Sequence, residues 1–468
     1  FAIQSKTLLG AHVDYDYSPE LKLGATIMNL TEKPLTQKVN TGDEPISNTI
    51  WGLDANYNKD SRWLTKMVDK LPFIDTKAPS AINITGEFAH MIPGHPRALG
   101  STGVSYIDDF EGSSSGIDLM NIGRWKMSST PQGQVSSDMF PEAAINNSLS
   151  IGYNRSKLAW YVIDPLFVRN NNVTPDHIKN DLDQQSNHHV REIYEKEVFP
   201  NKESNGNVPT NLAVLNLAFY PSERGPYNFD VEGGGISAGI AADGSLLDPA
   251  SRWGGIMREI ESTDFTATNI EYIEFWLMDP FIDPDEGGPE QPLQNGGDLY
   301  FNLGDISEDI LRDGRKAFEN GLPISATVTD VDTTIWGLVP TLQAMTNSFD
   351  NNPDSRSYQD VGYDGLRTVD EVGFYQTPYL DRIVALYGVG SQAYISAIDD
   401  PSNDNYHYYR GTDYDNSQTS ILDRYKKYNG VDGNSPTADQ SPESYPTTAN
   451  SLPDVEDINA DNTLSEEE

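Results

Sequence analysis

Two twelve-residue segments carry oxygen-bearing side chains at the spacing of a calcium loop, which takes ligands at positions 1, 3, 5, 7, 9 and 12 around a sharp turn at position 6. In residues 457–468, Asp457, Asn459, Asp461, the Thr463 carbonyl, Ser465 and Glu468 fall in register. Asn462 stands where glycine is usual, and asparagine tolerates the left-handed backbone that the turn needs. In residues 360–371, Asp360, Asp364, the Leu366 carbonyl and Glu371 take positions 1, 5, 7 and 12, with Gly365 at the turn; Gly362 at position 3 lends no side chain. Hard oxygen donors suit Ca2+, whose role would be to brace loops, because no paired amphipathic helices flank either segment. An Asp-rich solvated loop would give the same pattern in so acidic a chain.

No catalytic set accompanies them, and no enzymatic activity is expected. The seven histidines show no His-Glu-x-x-His spacing, and His188-His189 read as a solvated helix face. Gly233-Gly234-Gly235 resembles the start of a dinucleotide fingerprint, but no helix pattern comes after it, so a flexible loop is expected. Trp253 and the Tyr406, Tyr408, Tyr409 group could stack on sugars, although packing in a core is the favoured reading.

The elements that would position these residues change character along the chain. Four stretches in the first 92 residues alternate apolar and polar side chains. Leu9, Ala11, Val13, Tyr15 and Tyr17 alternate with Gly10, His12, Asp14 and Asp16, and after a turn at Ser18-Pro19-Glu20 come Leu21, Leu23, Ala25 and Ile27. Trp51, Leu53, Ala55 and Tyr57 alternate with Gly52, Asp54, Asn56 and Asn58; Ile82, Ile84, Gly86, Phe88 and His90 are the fourth set. Each set is roughly 9 to 11 residues long, the length of a tilted membrane-spanning strand. An antiparallel sheet with one face on a core and one in water gives the same alternation. Aromatic residues at the ends of the apolar faces, and a polar face of Gly, Asp, Asn and His, point to a barrel wall with a wet lumen.

On that reading Asp14, Asp16, Asp54 and Asn56 face the pore, and Tyr15, Tyr17, Leu23, Trp51, Leu53 and Tyr57 face lipid or its interface. A helix carrying Trp63, Leu64, Met67, Val68 and Leu71 is expected between the third and fourth strands. If the tight turn at Pro19 is periplasmic, everything after Ile92 is extracellular. Four strands cannot close a barrel, so the chain, which begins at Phe1 with no signal sequence, is expected to be an internal piece of a longer protein.

Charge separates the strands from the rest of the chain. The protein has 468 residues and a net charge of −39. The first 100 residues hold 10 basic and 11 acidic side chains, and the other 368 hold 22 and 60. So acidic a surface repels phosphate, and nucleic acid is not an expected partner. With no cysteine there are no disulfides or thiolate metal sites, and with no run of 18 apolar residues a membrane crossing must be by strands. Residues 93–343 read as an inserted, extracellular, jelly-roll-like β-sandwich with strands expected at 104–110, 157–164, 211–220, 270–278 and 298–302. One helix interrupts it, capped by Thr174 with Pro175 in its first turn, and running to Phe199. Residues 344–468 read as an acidic, loop-rich extracellular cap with a short helix at 420–428 and a mobile stretch at 437–453.

Four strings carry a specific resemblance: residues 105–113 (SYIDDFEGS), 222–228 (SERGPYN), 359–365 (QDVGYDG) and 456–464 (EDINADNTL). They resemble segments of the SprA/Sov family, the giant outer-membrane protein of the type IX secretion system, and the resemblance runs over the whole chain. It implies a mainly β fold, part of a transmembrane barrel of about 36 strands, that passes folded cargo proteins with a C-terminal targeting domain to the cell surface. It also implies a role in gliding motility. The implied partners are a PorV-like outer-membrane barrel at a lateral opening, a periplasmic plug protein, and the lipid bilayer. No catalytic residues carry over. The competing readings are a soluble or surface-anchored, calcium-supported glycan-binding protein, and a nutrient-uptake barrel.

Overall fold

Strands β1 (Lys6–Ser18), β2 (Leu21–Glu32), β3 (Ser47–Asp60) and β4 (Ala81–Ile92) pair antiparallel with their neighbours in chain order, as a meander. The computed structural model describes residues 6–33, 45–72, 78–96, 117–132, 139–201, 210–260, 262, 264, 265, 270, 272–279, 296–319, 329–342, 353–356, 358, 359, 362–428 and 453–465. The chain divides into two compact units, 1–118 and 119–468.

In the first unit each strand has 12 to 14 residues. At about 3.4 Å per residue and a 45° tilt that covers about 30 Å, the thickness of bilayer hydrocarbon. The β1–β2 turn is tight because the Ser18 hydroxyl accepts the N–H groups of Glu20 and Leu21 (3.3 and 3.1 Å). At the other end Leu30 and Ile46 form a small buried core, beside a 3.1 Å Lys6–Glu32 ion pair. The expected helix is α1 (Arg62–Val68), capped by Ser61, with Trp63, Met67 and Leu71 exposed.

In the second unit, β5 (Ser156–Tyr161) pairs with β6 (Asn216–Arg224), and four further two-stranded sheets lie elsewhere in it. Its helices include α2 (Thr368–Phe374), a π-helical turn (Gln376–Leu380), α3 (Asp381–Tyr387), α4 (Gln392–Asp399) and α5 (Ile421–Tyr425). Phe229 packs against Tyr375, Tyr379 and Trp336 at 4.4, 5.3 and 6.1 Å in the larger core. A second core stacks Tyr161 on Tyr425 at 4.3 Å, beside Phe167, Ile178 and Val190. Arg252 and Asp230, both wholly buried, pair at 3.0 Å, and the Arg252 guanidinium also donates to the carbonyls of Tyr153, Gly239 and Leu247. Residues on both sides of 343/344 share the larger core, so that expected division is not a boundary between compact units.

Several expectations are corrected. The described part of the second unit is built of small antiparallel sheets and short helices, not a jelly roll: 272–279 and 296–302 carry no strand, and 104–110 lie outside the described residues. The long helix from Thr174 is broken into Asp176–Lys179, Leu182–Ser186 and Glu195–Val198. Asp181 accepts the Gln184 N–H and starts a new helix, Asn187 accepts the His189 N–H, and Thr174 spends its hydroxyl on the Leu166 carbonyl. Such short polar side chains compete with the helical ladder. His188 is buried, bonded to the Asp279 carbonyl at 2.8 Å, rather than solvated. The glycines at 233–235 form part of an ordered hairpin, Glu232–Gly234 with Ser237–Gly239, in which Gly235 takes φ +55°.

Candidate functional site

The register of the four strands decides what their alternation builds. Tyr15 pairs with Leu23, Leu23 with Ala55, and Ala55 with Gly86; Ala25 pairs with Leu53, and Leu53 with Phe88; Ile27 pairs with Trp51. All four apolar sets therefore lie on one face of one sheet. That face is open: Val13, Tyr17, Leu53 and Phe88 are 63, 68, 53 and 54% exposed. Trp51 is held in place by a bond from its indole to His90 (3.1 Å) and by Phe88.

The opposite face is polar. Asp14, Gly24, Asp54 and Glu87 form one cross-strand row, and Asp16, Lys22, Asn56 and Thr85 the next. His12 bridges Asp14 and Thr26 at 3.1 and 2.6 Å. Asp54 lies over Gly24, where an added Cβ would stand 2.2 Å from a carboxylate oxygen. Asp14, Asp16, Asp54 and Asn56 thus share one face, and Tyr15, Tyr17, Leu23, Trp51, Leu53 and Tyr57 share the other.

In the second unit the expected loop residues Asp364 and Glu371 come together with Asp404, which no motif in the sequence singles out. One carboxylate oxygen from each lies within 4.8 Å of the others, and all three residues are buried. The turn at Gly365 has φ +64°, and Asp364 accepts the Leu366 N–H (2.9 Å) and the Tyr375 hydroxyl (3.1 Å). Tyr227 donates to Asp404 (3.0 Å), and Ser402 Oγ sits 2.6 Å from Glu371 and 2.7 Å from Asp404. One hydroxyl proton cannot serve both carboxylates. Burial, and then the charge of Asp404, push Asp364 and Glu371 well above the usual carboxylate range. Asp360 lies outside the described residues. Asp404 reaches the group from a separate loop 33 positions beyond Glu371, too far for any loop spacing to mark it.

The second loop has the expected backbone. Asp457 accepts the N–H groups of Asp461 and Asn462 (3.1 and 3.0 Å), Asn459 that of Asp461, and Asp461 that of Thr463. Asn462 adopts φ +67°. Lys316 pairs with Asp457 at 3.2 Å, and Glu308 accepts the Ser465 N–H; Glu468 lies outside the described residues. Trp253 and Tyr409 are engaged internally, by Glu142 at 2.8 Å and by Phe167, Tyr425 and Tyr428.

Raised carboxylates make the stability of this unit fall with rising pH. A carboxyl that keeps its proton when folded but loses it when unfolded stabilises the fold below its unfolded value and ceases to do so as pH rises through its folded one. For Asp313, which burial and then the charge of Asp309 push up to about 6, the window is about pH 4 to 6. In the presence of a chelator, the urea midpoint of the chain is expected to drop across that window and to go on falling above it as Asp364 and Glu371 ionise.

The first unit thus presents one open apolar face and one polar face, and the second unit has its own core. Residues 378–468 match the family model SprA_N, a motility related/secretion protein, which supports the resemblance of the chain to the SprA/Sov family. No curated protein matches it. Among the described residues, no helix is long and apolar enough to cross a membrane.

Proposed function

We propose that the chain is part of an outer-membrane translocon of type IX secretion, with β1–β4 in the barrel wall and residues from about 93 onward at the cell surface. The observation that carries this reading is the register, which puts four apolar strand faces on one open side and the carboxylates and amides on the other. The strand lengths and the secretion-family match add support. The wall conducts and does no chemistry: Asp14, Asp16, Asp54 and Asn56 keep the lumen wet, while the opposite face meets lipid. Folded cargo with a C-terminal targeting domain, a PorV-like barrel and a periplasmic plug are the partners this role requires. Depleting the full-length protein in its host and quantifying the periplasm and medium by mass spectrometry tests it. Cargo should build up in the periplasm while other outer-membrane proteins stay normal. Unchanged export would favour the glycan-binding reading, which also predicts extraction without detergent.

Calcium bracing of the second unit is the companion proposal, favoured by the three buried carboxylates of Asp364, Glu371 and Asp404. A divalent cation would replace the protons that otherwise let them be buried, so its effect should grow with pH. Calcium is expected to raise the unfolding midpoint of the chain more at pH 8 than at pH 5, with the gain lost in Glu371→Gln. Equal midpoints with calcium and with chelator at both pH values would dismiss the ion.

A further inference from the structure

A cavity of about 210 Å³ in the second unit is lined by Lys157, Asp399, Asp400, Tyr406, Lys426 and Lys427 among others. Lys157 sits at the irregularity where β5 leaves its register with β6. Lys157 and Lys427 make no ion pair among the described residues, whereas Glu223 and Asp400 nearby are engaged and Asp399 is exposed on the lining. Glu223 is paired with Lys426 at 2.6 Å, and the Asp400 carboxylate accepts the N–H groups of Asp404 and Asn405 at 3.2 and 3.4 Å. Burial lowers Lys157 below the usual lysine range, and the charges of Lys427 and Arg224 act the same way, against the pull of Glu223 and Asp400. In a chain of net charge −39, a half-buried lysine without an ion pair, sharing a cavity lining with the exposed Lys427, is an exception that asks for an anion.

We propose that this cavity binds a small carboxylate, held by the Lys157 and Lys427 ammonium groups. Phosphate is the poorer fit. Arg224, whose charge acts on Lys157, spends its donors on the carbonyls of Asp400, Pro401 and Asn228, and the backbone N–H groups of Asp404 and Asn405 are taken by Asp400. What is left is point charge without a fork or a cradle of N–H groups, which suits a single negative charge better than a phosphate dianion. Asp399, exposed on the cavity lining, would oppose a second negative charge and accept an amine. Glutamate, with a carboxylate for the lysines and an amine for Asp399, is therefore the probe.

The test is lysine NMR of the intact 468-residue chain, titrated with glutamate and, separately, with inorganic phosphate. Saturable binding of glutamate is expected, with the Lys157 titration midpoint rising as it binds. Lys157→Met should weaken binding about tenfold and Lys427→Met several-fold, while Lys196→Met, which is not among the lining residues, should leave it unchanged. If Lys157→Met does not fold, the shift of Lys157 in the unsubstituted chain decides alone. A Lys157 midpoint indifferent to glutamate overturns the proposal, as does a response to phosphate alone.

Discussion

Leu53→Asp in the full-length protein is expected, on the barrel-wall proposal, to stop the wall from assembling, at a cost somewhat below the about 2–4 kcal/mol of a lysine or arginine near the bilayer middle. Leu53 lies mid-strand between Ala25 and Phe88 on the open apolar face and is about half exposed. Water would hydrate a new carboxylate there at little cost, so the size of the loss reports directly on what covers the face. Leu23→Arg, one strand away, should behave alike. Asn56→Asp, on the polar face, should assemble normally. Heat-modified migration of the barrel and its protection from protease in intact cells are the measurements. Normal assembly of Leu53→Asp would mean that the faces are assigned the wrong way round or that the sheet meets no lipid.

The second large effect belongs to the acidic unit. Asp230→Ala is expected to destabilise it by about 3–5 kcal/mol, because a fully buried guanidinium is left without its counter-charge. Arg252 stitches the Tyr153, Gly239 and Leu247 segments through their carbonyls, and Asp230 in turn accepts the Ser237 hydroxyl at 2.7 Å. Removing the anion therefore disturbs three connections at once. Urea unfolding followed by tryptophan fluorescence measures it. The double variant Asp230→Ala, Arg252→Met should recover part of the loss, since it no longer buries a lone charge. A loss below 1 kcal/mol in the single variant would mean that the carbonyls alone neutralise Arg252.

How much of the fold is legible in the sequence depends on how local each feature is. The four strands are legible because a period of two survives over a dozen residues and because one face of each is consistently apolar. Their mutual register is not, yet it is what converts four patterns into one surface. The loop backbones at Gly365 and Asn462 are legible from position 6 alone, because few residues accept a left-handed turn. The single helix expected from Thr174 does not form because Asp181 and Asn187, spaced within it, cap and turn the chain instead of continuing it. The partnership of Asp404 with Asp364 and Glu371 depends on packing by Tyr227, whose hydroxyl reaches Asp404 from a distant segment, and by Tyr375, whose hydroxyl reaches Asp364. No short window of sequence contains that information. Strand spacing suggests a sandwich, but stacked tyrosines and buried ion pairs supply the cohesion that paired sheets would have given.

Gly24 bears on how freely this sheet can vary. Asp54 folds across it, so position 24 has no room for even a methyl group without evicting the carboxylate. A side chain at position 24 would turn the Asp54 carboxylate aside, so the place of that charge within the row from Asp14 to Glu87 depends on the glycine two strands from β4.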